Sequence, residues 1–130
     1  MSERSRDWMN QAKKDLENAV WEVKGGYYEW ACFISQQAAE KGIKAVYNRL
    51  GGEAWGHSIV NLLEGLKEKI VIDEDVIHAG RLLDRFYIPA RYPNGWDAGI
   101  PHDYYTKEDA ESAIGSAEKV LRLCEGLLAE

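Results

Sequence analysis

The chain has 130 residues, of which 45% are hydrophobic and 29% are charged, and its formal net charge is −6. This length and composition are typical of one globular unit, so we expect a single helical domain over residues 1–130. The acidic excess argues against sequence-independent binding to long nucleic acid, because that binding depends on Lys and Arg that neutralise phosphates. No apolar run reaches the roughly 20 residues of a membrane span, and the amino end has no secretory signal, which favours a cytoplasmic protein without membrane contact.

Apolar residues that recur every three or four positions predict five helices in chain order. The predicted helices cover residues 4–24, about 27–50, 59–70, 73–86 and 106 to the carboxyl end. Glycine pairs end the first two helices, Pro89 ends the fourth, and the capping-box pattern of Thr106 and Asp109 begins the last. The second helix is apolar on several faces, which predicts that it lies at the centre of the molecule or is shared with a partner.

No strand pattern competes with these helices, so we predict an all-α fold, an antiparallel up-and-down bundle of about five helices. Cys32 and Cys124 lie within apolar helical patterns and lack the spacing of a disulfide framework or a zinc site. This placement predicts buried, reduced thiols. The one long connection, residues 88–105, carries Arg91, Trp96 and His102, and irregular loops of this length are often functional.

A cluster of arginines is predicted where the fourth helix meets this connection. Arg81 and Arg85 are four residues apart, so they share one face of the helix and point toward the end from which Arg91 emerges. Three guanidinium groups at one end of a bundle could bind a phosphate. Alternatively, Arg81 and Arg85 pair with Asp84, Asp103 or neighbouring helices and only solvate the surface.

Residues 51–58 have the glycine spacing and final serine of a phosphate-binding loop, but His57 replaces the essential lysine. A helix precedes this segment, whereas that motif requires a strand. The segment is therefore interpreted as a turn before a helix amino end near His57 and Ser58. Free backbone N–H groups at such an end could still attract an anion.

Five segments together resemble the HEPN family, and the resemblance covers nearly the whole chain. They are Trp30-Ala31-Cys32-Phe33, Gln36-Gln37-Ala38-Ala39-Glu40-Lys41, Trp55-Gly56-His57-Ser58-Ile59, Asp84-Arg85-Phe86-Tyr87-Ile88-Pro89-Ala90-Arg91-Tyr92-Pro93-Asn94 and Tyr105-Thr106-Lys107-Glu108-Asp109-Ala110. The Arg-Tyr-Pro segment with its upstream Tyr-Ile-Pro is the most specific of them. The resemblance implies a helical bundle, usually a homodimer, often encoded beside a minimal nucleotidyltransferase. Many members are metal-independent endoribonucleases or the toxin half of toxin–antitoxin pairs.

Ribonuclease members carry an arginine followed a few residues later by a histidine, commonly within a His-x-Tyr sequence just before the final helix. This chain has Arg91, ten intervening residues and then His102-Asp103-Tyr104, so the residue types match but the interval is longer. The resemblance implies Arg91, His102 and Tyr104 as catalytic candidates. In that chemistry the RNA 2′-hydroxyl attacks the adjacent phosphate, the histidine moves a proton and the arginine stabilises the developing negative charge. Tyr104 also resembles the tyrosine that a partner nucleotidyltransferase adenylylates, whereas Tyr105 is the alternative that packs.

The favoured prediction is a protein that binds nucleotide or RNA phosphate, because the basic cluster is intact whereas the catalytic interval is not. Its binding candidates are polar or positive side chains expected at one end of the bundle: Arg81, Arg85, Arg91, Asn94 and His57. Arg49 and His57 are a second, looser arginine–histidine pair. The resemblance implies a homodimer that works with a minimal nucleotidyltransferase in a toxin–antitoxin-like pair, and we expect no cofactor or metal.

Two alternatives stay open. One is an active, metal-independent endoribonuclease toxin that uses Arg91 and His102. The other is a dimeric scaffold without a ligand. In the account without a ligand, Tyr92, Trp96 and Tyr105 cover the end of the bundle while Arg91 bonds to helix carbonyls.

Overall fold

A computed structural model describes residues 3–129 of the chain. The helices in this part are α1 (Ser5–Gly25), α2 (Tyr28–Leu50), α3 (Ile59–Leu66), α4 (Glu74–Asp84) and α5 (Lys107–Leu128). Two 3₁₀ turns, Pro93–Gly95 and Pro101–Asp103, lie between α4 and α5. No strand occurs within residues 3–129, which confirms the prediction of an all-α helical bundle. The predicted domain over 1–130 and the predicted run of the last helix to the carboxyl end also include residues outside this range.

The third and fourth helices are shorter than the periodicity predicts. After Leu66 the backbone N–H groups of Lys69 and Ile70 both donate to the Leu66 carbonyl, at 3.0 and 2.9 Å. This convergence on one oxygen ends the regular helical pattern, although Ile70 still packs against the core. In α4 the turn formed by Arg85 and Phe86 likewise follows the last helical residue.

Helix α2 lies at the centre of the bundle, packed against α1 on one side and α5 on another. Twelve of its residues are buried, among them several alanines. Gly42 lets α2 and α5 pack closely together, because a methyl group at this position would collide with the side chain of Leu121 in α5. The broad apolar character of the second helix is therefore explained by its central position within its own chain.

All five helices contribute to one hydrophobic core. Fully buried side chains that represent the five helices are Met9, Ile43, Leu63, Leu83 and Val120. The two cysteines are also buried and are not joined in a disulfide, which confirms the prediction made for them. Helix α5 begins at the predicted capping box, in which the Asp109 backbone N–H donates to the Thr106 hydroxyl at 3.1 Å and the Thr106 N–H donates to the Asp109 carboxylate at 2.9 Å.

The connection between α4 and α5 folds back on itself around Trp96. The indole N–H of Trp96 donates to the Pro89 carbonyl at 2.8 Å, and its ring stacks on Tyr104 with centroids 4.0 Å apart. Tyr105 meets the edge of Trp96 and packs against Phe86 in the core. Since both ends of the segment are fixed to the same indole, the 3₁₀ turn that carries His102 is brought against α2.

None of the helices within residues 3–129 combines the length and the apolar character required to span a bilayer.

Candidate functional site

Four side chains of α2 form one face that is covered by the α2–α3 turn, the end of α4 and the α4–α5 connection. We call this face the α2 stripe, and its members are spaced four, three and four residues apart: Glu29, Phe33, Gln36 and Glu40. Glu29 and Glu40 retain only 7% and 6% of their accessible surface. A carboxylate is costly to bury without a partner, so each must be hydrogen-bonded or paired. Each is paired with a histidine.

At one end of the α2 stripe, His102 is held by Glu29. Its Nδ1 lies 2.9 and 3.0 Å from the two carboxylate oxygens, while the ring of Tyr27 lies 6.0 Å away between centroids. About half of the His102 side chain is exposed. A carboxylate at Nδ1 orients the imidazole and favours the tautomer with its proton on that nitrogen. Nε2 is then the nitrogen available for proton transfer or for contact with a ligand.

Arg91 lies over Phe33, the next member of the α2 stripe. Its guanidinium carbon is 4.2 Å from the ring centre of Phe33, 4.7 Å from that of Tyr87 and 5.1 Å from that of Tyr92. Its Nε donates to the Tyr87 carbonyl at 2.7 Å. The scaffold alternative expects a bond to helix carbonyls, whereas Tyr87 lies in the bend beyond the end of α4, and the bond uses only one nitrogen of Arg91.

The two terminal nitrogens of Arg91 have no hydrogen-bond partner within residues 3–129, and neither is a buried atom. They therefore reach solvent. A guanidinium offers five N–H donors in a fixed plane, so four donors of Arg91 remain for a ligand. Contacts with three rings restrict the guanidinium without consuming these donors.

At the other end of the α2 stripe, His57 is held by Glu40. Its Nδ1 lies 3.1 and 3.2 Å from the carboxylate oxygens, and Lys44 also contacts Glu40 at 3.0 Å. The buried amide of Gln36 donates to the His57 carbonyl at 2.9 Å, which fixes the backbone of the turn. The imidazole stacks on Tyr87 with centroids 4.6 Å apart.

The stripe brings Arg91 and His102 to one surface although ten residues separate them. Glu29 and Phe33 are one helical turn apart, a rise of about 6 Å along α2. No direct hydrogen bond joins Arg91 to His102 within the described residues. The two groups therefore contact neighbouring turns of α2 without bonding to each other.

The amino end of α3 is occupied by Asp84 of α4. The Asp84 carboxylate accepts from the Ile59 N–H at 2.6 Å, the Val60 N–H at 3.2 Å and the Ser58 hydroxyl at 2.9 Å. The anion that this helix end attracts is thus part of the chain itself. A pocket of about 200 Å³ adjoins it, lined by His57, Ser58, Asp84 and Tyr87.

Arg81 and Arg85 are exposed on α4, and neither forms an ion pair or a side-chain hydrogen bond within residues 3–129. The alternative in which they pair with Asp84 or Asp103 is therefore not what the structure shows. Asp84 accepts hydrogen bonds at the amino end of α3, and Asp103 accepts one from the Ile100 N–H at 3.4 Å. Both arginines remain available to a ligand.

Asn94 is exposed in the first 3₁₀ turn of the α4–α5 connection. Arg49, the looser partner suggested for His57, instead donates to Glu3 at 3.0 Å and to the Leu128 carbonyl at 2.9 Å. It ties α2 to the end of α5 and belongs to no site with His57.

The two adjacent tyrosines before α5 have different environments. Tyr104 is exposed, and its hydroxyl donates to the Ala98 carbonyl. Tyr105 packs against Phe86 and Trp96, and burial raises the pKa of its hydroxyl to about 12. Only Tyr104 presents its ring at the surface.

The sequence assigned no role to four residues that contact the two histidines or Arg91. They are Glu29, Glu40, Phe33 and Tyr87. One signal was present, because two glutamates on one face of a helix that is apolar nearly all round require partners. That the two glutamates support histidines depends on how distant loops fold.

Within residues 3–129, no group of three or more His, Cys, Asp or Glu side chains is placed to hold a metal ion.

Comparison with known proteins gives a consistent result. The family model for the HEPN domain matches residues 5–127. The structure of TT1696 from Thermus thermophilus is 42% identical with a TM-score of 0.94, and the alignment covers 97% of this chain and 99% of that one. The structure of ST0689, an archaeal HEPN homologue, is 41% identical with a TM-score of 0.82, covering 97% of this chain and 98% of that one. A protein of Methanocaldococcus jannaschii named "Putative toxin MJ1304" is 29% identical over 95% of this chain and 87% of its own length.

Proposed function

The chain belongs to the HEPN family, and from this premise we propose that it is a toxin-like member that binds the phosphate of RNA or of a nucleotide over the α2 stripe. The observation that carries the proposal is that the Arg91 guanidinium lies over Phe33 while the His102 imidazole bonds to Glu29, one helical turn away along α2. The similarity to a protein named "Putative toxin MJ1304" supports the toxin-like part of the proposal.

The charges around the stripe favour a local phosphate site in an acidic protein. Glu29 and Glu40 each bond to a histidine, and Glu40 also pairs with Lys44, so both carboxylates are engaged within the chain. Arg91 stays positively charged at all physiological pH values and can form two parallel bonds to phosphate oxygens. Arg81, Arg85 and Asn94 are exposed and can contact adjacent phosphates or sugars.

Binding of a short single-stranded RNA, measured by fluorescence anisotropy, tests this proposal. Because Arg91 donates charged hydrogen bonds, Arg91→Ala should weaken binding by about tenfold or more. Arg122→Ala is the matched control, since Arg122 is an exposed arginine on α5 away from the stripe. Equal affinities of these two variants would refute the phosphate site. Such a result would leave the scaffold without a ligand as the better account.

A second candidate function, metal-independent RNA cleavage, is favoured by the contact between His102 and the buried Glu29. In this reaction Nε2 of His102 takes the proton from the RNA 2′-hydroxyl while that oxygen attacks the neighbouring phosphorus. The bond from phosphorus to the 5′-oxygen breaks, and the departing oxygen takes a proton from water. The products are a 2′,3′-cyclic phosphate and a 5′-hydroxyl end. Arg91 stabilises the extra negative charge on the phosphate oxygens in the transition state.

Cleavage of RNA in the presence of a chelator distinguishes this activity from binding alone. His102→Ala should lower the rate by roughly 10²–10⁴, the usual contribution of a general base. His78→Ala provides a control, because His78 is exposed on α4 and lies outside the stripe. If wild-type protein binds RNA but yields no cyclic phosphate, the function is binding alone.

We further propose that the protein works with a minimal nucleotidyltransferase, and that Tyr104 is the residue the partner adenylylates. The exposed ring of Tyr104, next to a half-buried Tyr105, supports this choice. Mass spectrometry after incubation with such a partner and ATP should show modification of wild type and of Tyr105→Phe. Adenylylation that persists in Tyr104→Phe would mean that the partner modifies a different residue.

A homodimer is proposed through the end of the bundle near the α1–α2 turn. Among the exposed large hydrophobic residues, Trp21, Tyr27 and Trp30 lie close together in the chain around this turn and form the proposed contact surface. Sedimentation at micromolar concentration should give twice the 14.7 kDa chain mass, and Trp21→Glu with Trp30→Glu should give the monomer. A wild-type monomer at that concentration would contradict the proposal.

A further inference from the structure

We propose that the pocket lined by His57, Ser58, Asp84 and Tyr87, here the base pocket, receives a nucleobase of a single-stranded RNA and prefers bases with an exocyclic amino group. This inference rests on the proposed phosphate site at Arg91. It assigns His57 to the recognition of a base rather than of a phosphate. Adenine, cytosine and guanine carry the required amino group, and uracil does not.

The base pocket adjoins the phosphate site through a shared ring. Tyr87 stacks on His57 at 4.6 Å and lies 4.7 Å from the guanidinium of Arg91. One aromatic side chain therefore separates the two sites. A nucleotide that rests its phosphate on Arg91 has its own base, or the base of its neighbour, within reach of the pocket.

The chemistry of the base pocket opposes a phosphate. The carboxylate of Asp84 lines it, and the buried carboxylate of Glu40 lies directly behind His57. The α3 amino end, which would otherwise attract an anion, is already bonded to Asp84. The carboxylate of Glu40 already pairs with Lys44, so the charge that repels a phosphate and attracts the N–H donors of a base is that of Asp84.

Asp84 retains capacity for one more donor. An ionised carboxylate has about four lone-pair sites, and the side chain accepts three hydrogen bonds from Ser58, Ile59 and Val60. The exocyclic amine of a base can supply the fourth. Since Asp84 is fixed by three bonds to the start of α3, its position is defined before a ligand arrives.

Size and surroundings also suit a base. The pocket measures about 200 Å³, below the roughly 300–1,000 Å³ of clefts that take drug-sized ligands, so it fits one ring system rather than a whole nucleotide. About half of the His57 side chain is exposed, which leaves a flat ring available for stacking. Trp55, two residues earlier in the same turn, exposes 79% of its surface and is available as a second stacking partner. Base stacking on such side chains is a general means of binding single-stranded RNA.

The decisive test changes the ligand rather than the protein. Two short RNAs of equal length are compared, one with adenine and one with purine, which lacks only the amino group. Wild type should bind the adenine RNA about tenfold more tightly, as expected for one hydrogen bond to a charged acceptor. Equal affinity for the two RNAs would overturn the base pocket. Because the proteins are identical in this comparison, folding defects cannot produce the result.

A variant then locates the effect. Asp84→Asn, which preserves side-chain size, should reduce the preference for adenine over purine to less than about threefold, whereas Asp75→Asn, an exposed aspartate of α4, should keep it. Retention of the full preference in Asp84→Asn would also overturn the assignment.

Arg91→Ala separates the two proposals. This substitution should weaken the binding of both RNAs equally and leave the ratio of their affinities unchanged. If Arg91→Ala changes the affinity for neither RNA, the proposal of a phosphate site is wrong. If it weakens the binding of both RNAs while wild type binds the adenine and purine RNAs equally, only the proposal of the base pocket is wrong.

Discussion

At the scale of single residues, the two histidines of the α2 stripe owe their positions to buried glutamates. His102 depends on Glu29 and His57 on Glu40, in both cases through Nδ1. In both pairs the carboxylate bonds to Nδ1 and not to Nε2, yet the neighbouring groups differ. Arg91 lies over Phe33, one turn from the Glu29 that holds His102, whereas Asp84 lies in the pocket beside His57. This difference in local charge is the reason for proposing different ligands for the two similar pairs.

Glu29→Gln tests the orienting role of this carboxylate. Glutamine keeps the volume of the side chain but offers a neutral partner to Nδ1, so we expect RNA binding or cleavage at His102 to fall by about tenfold. Glu111→Gln is the control, because Glu111 is an exposed glutamate of α5 and bonds to neither histidine. Circular dichroism should show unchanged helix content in both variants. A loss in Glu111→Gln equal to that in Glu29→Gln would argue against the orienting role of Glu29.

The cysteines provide a second prediction at this scale. Burial raises the pKa of the Cys32 thiol and that of the Cys124 thiol to about 12. Because the thiolate is the reactive form, neither thiol should react with a disulfide reagent at pH values near 8 while the protein is folded. Both should react at once in denaturant, as followed by absorbance. Rapid reaction of folded protein would show that the α2–α5 interface opens.

At the scale of elements, α3 is the part of the bundle most dependent on contacts from elsewhere. It has only 8 residues, and an isolated helix of this length is unstable in water. Ser58 caps it by accepting from the Asn61 N–H at 3.2 Å, and Asp84 satisfies two more amide groups. Its inner face packs on α4, where Gly80 leaves space for Ile59.

Asp84→Ala should therefore destabilise the protein, by about 1–2 kcal/mol as judged from losses of helix caps. The urea midpoint would shift while the slope stays constant. Asp75→Ala, in the first turn of α4, should change the unfolding free energy by less than about 0.5 kcal/mol. A similar urea midpoint for both variants would mean that the α3 amino end does not need Asp84.

The sequence was sufficient to predict the helices but not the site. Apolar spacing and capping residues act over a few positions, which is why all five helices were predicted and the family resemblance was confirmed by the family match. The path of residues 88–105 depends on the stacking of Trp96 on Tyr104, a contact that no periodicity encodes. The partners of Glu29 and Glu40 come from that path and from the α2–α3 turn. Burial of the two acids could be predicted, but not which histidine each would meet.

At the scale of the whole molecule, α1 and α5 are joined at their surfaces by Glu125. This carboxylate pairs with Lys13 and with Arg6, the latter at 2.6 Å. Hydrogen bonds from Lys13 and then Arg6 hold the pKa of Glu125 below its ordinary value of 4.5. A lowered pKa in the folded state means that the stabilisation is fully present above that ordinary value and is lost as the pH falls through the folded value.

Glu125→Gln should thus be less stable than wild type at neutral pH and equal to it in strong acid. The difference at neutral pH should be below about 1 kcal/mol, since the pair is partly exposed and solvent screens it. Urea unfolding at pH values of about 7 and about 2 measures both differences. A difference that persists at the lower pH would mean that packing, not charge, is responsible.

The regular rise of α2 has a consequence for how related proteins are searched. Because Glu29 and Phe33 hold His102 and Arg91, the proposed site depends on the second helix rather than on the number of residues between the arginine and the histidine. On that proposal, insertions or deletions in the connection should be tolerated wherever the second helix keeps an acid and, four residues later, an aromatic ring. Searches that fix the arginine-to-histidine interval will overlook such chains. A search pattern placed on the second helix would find them.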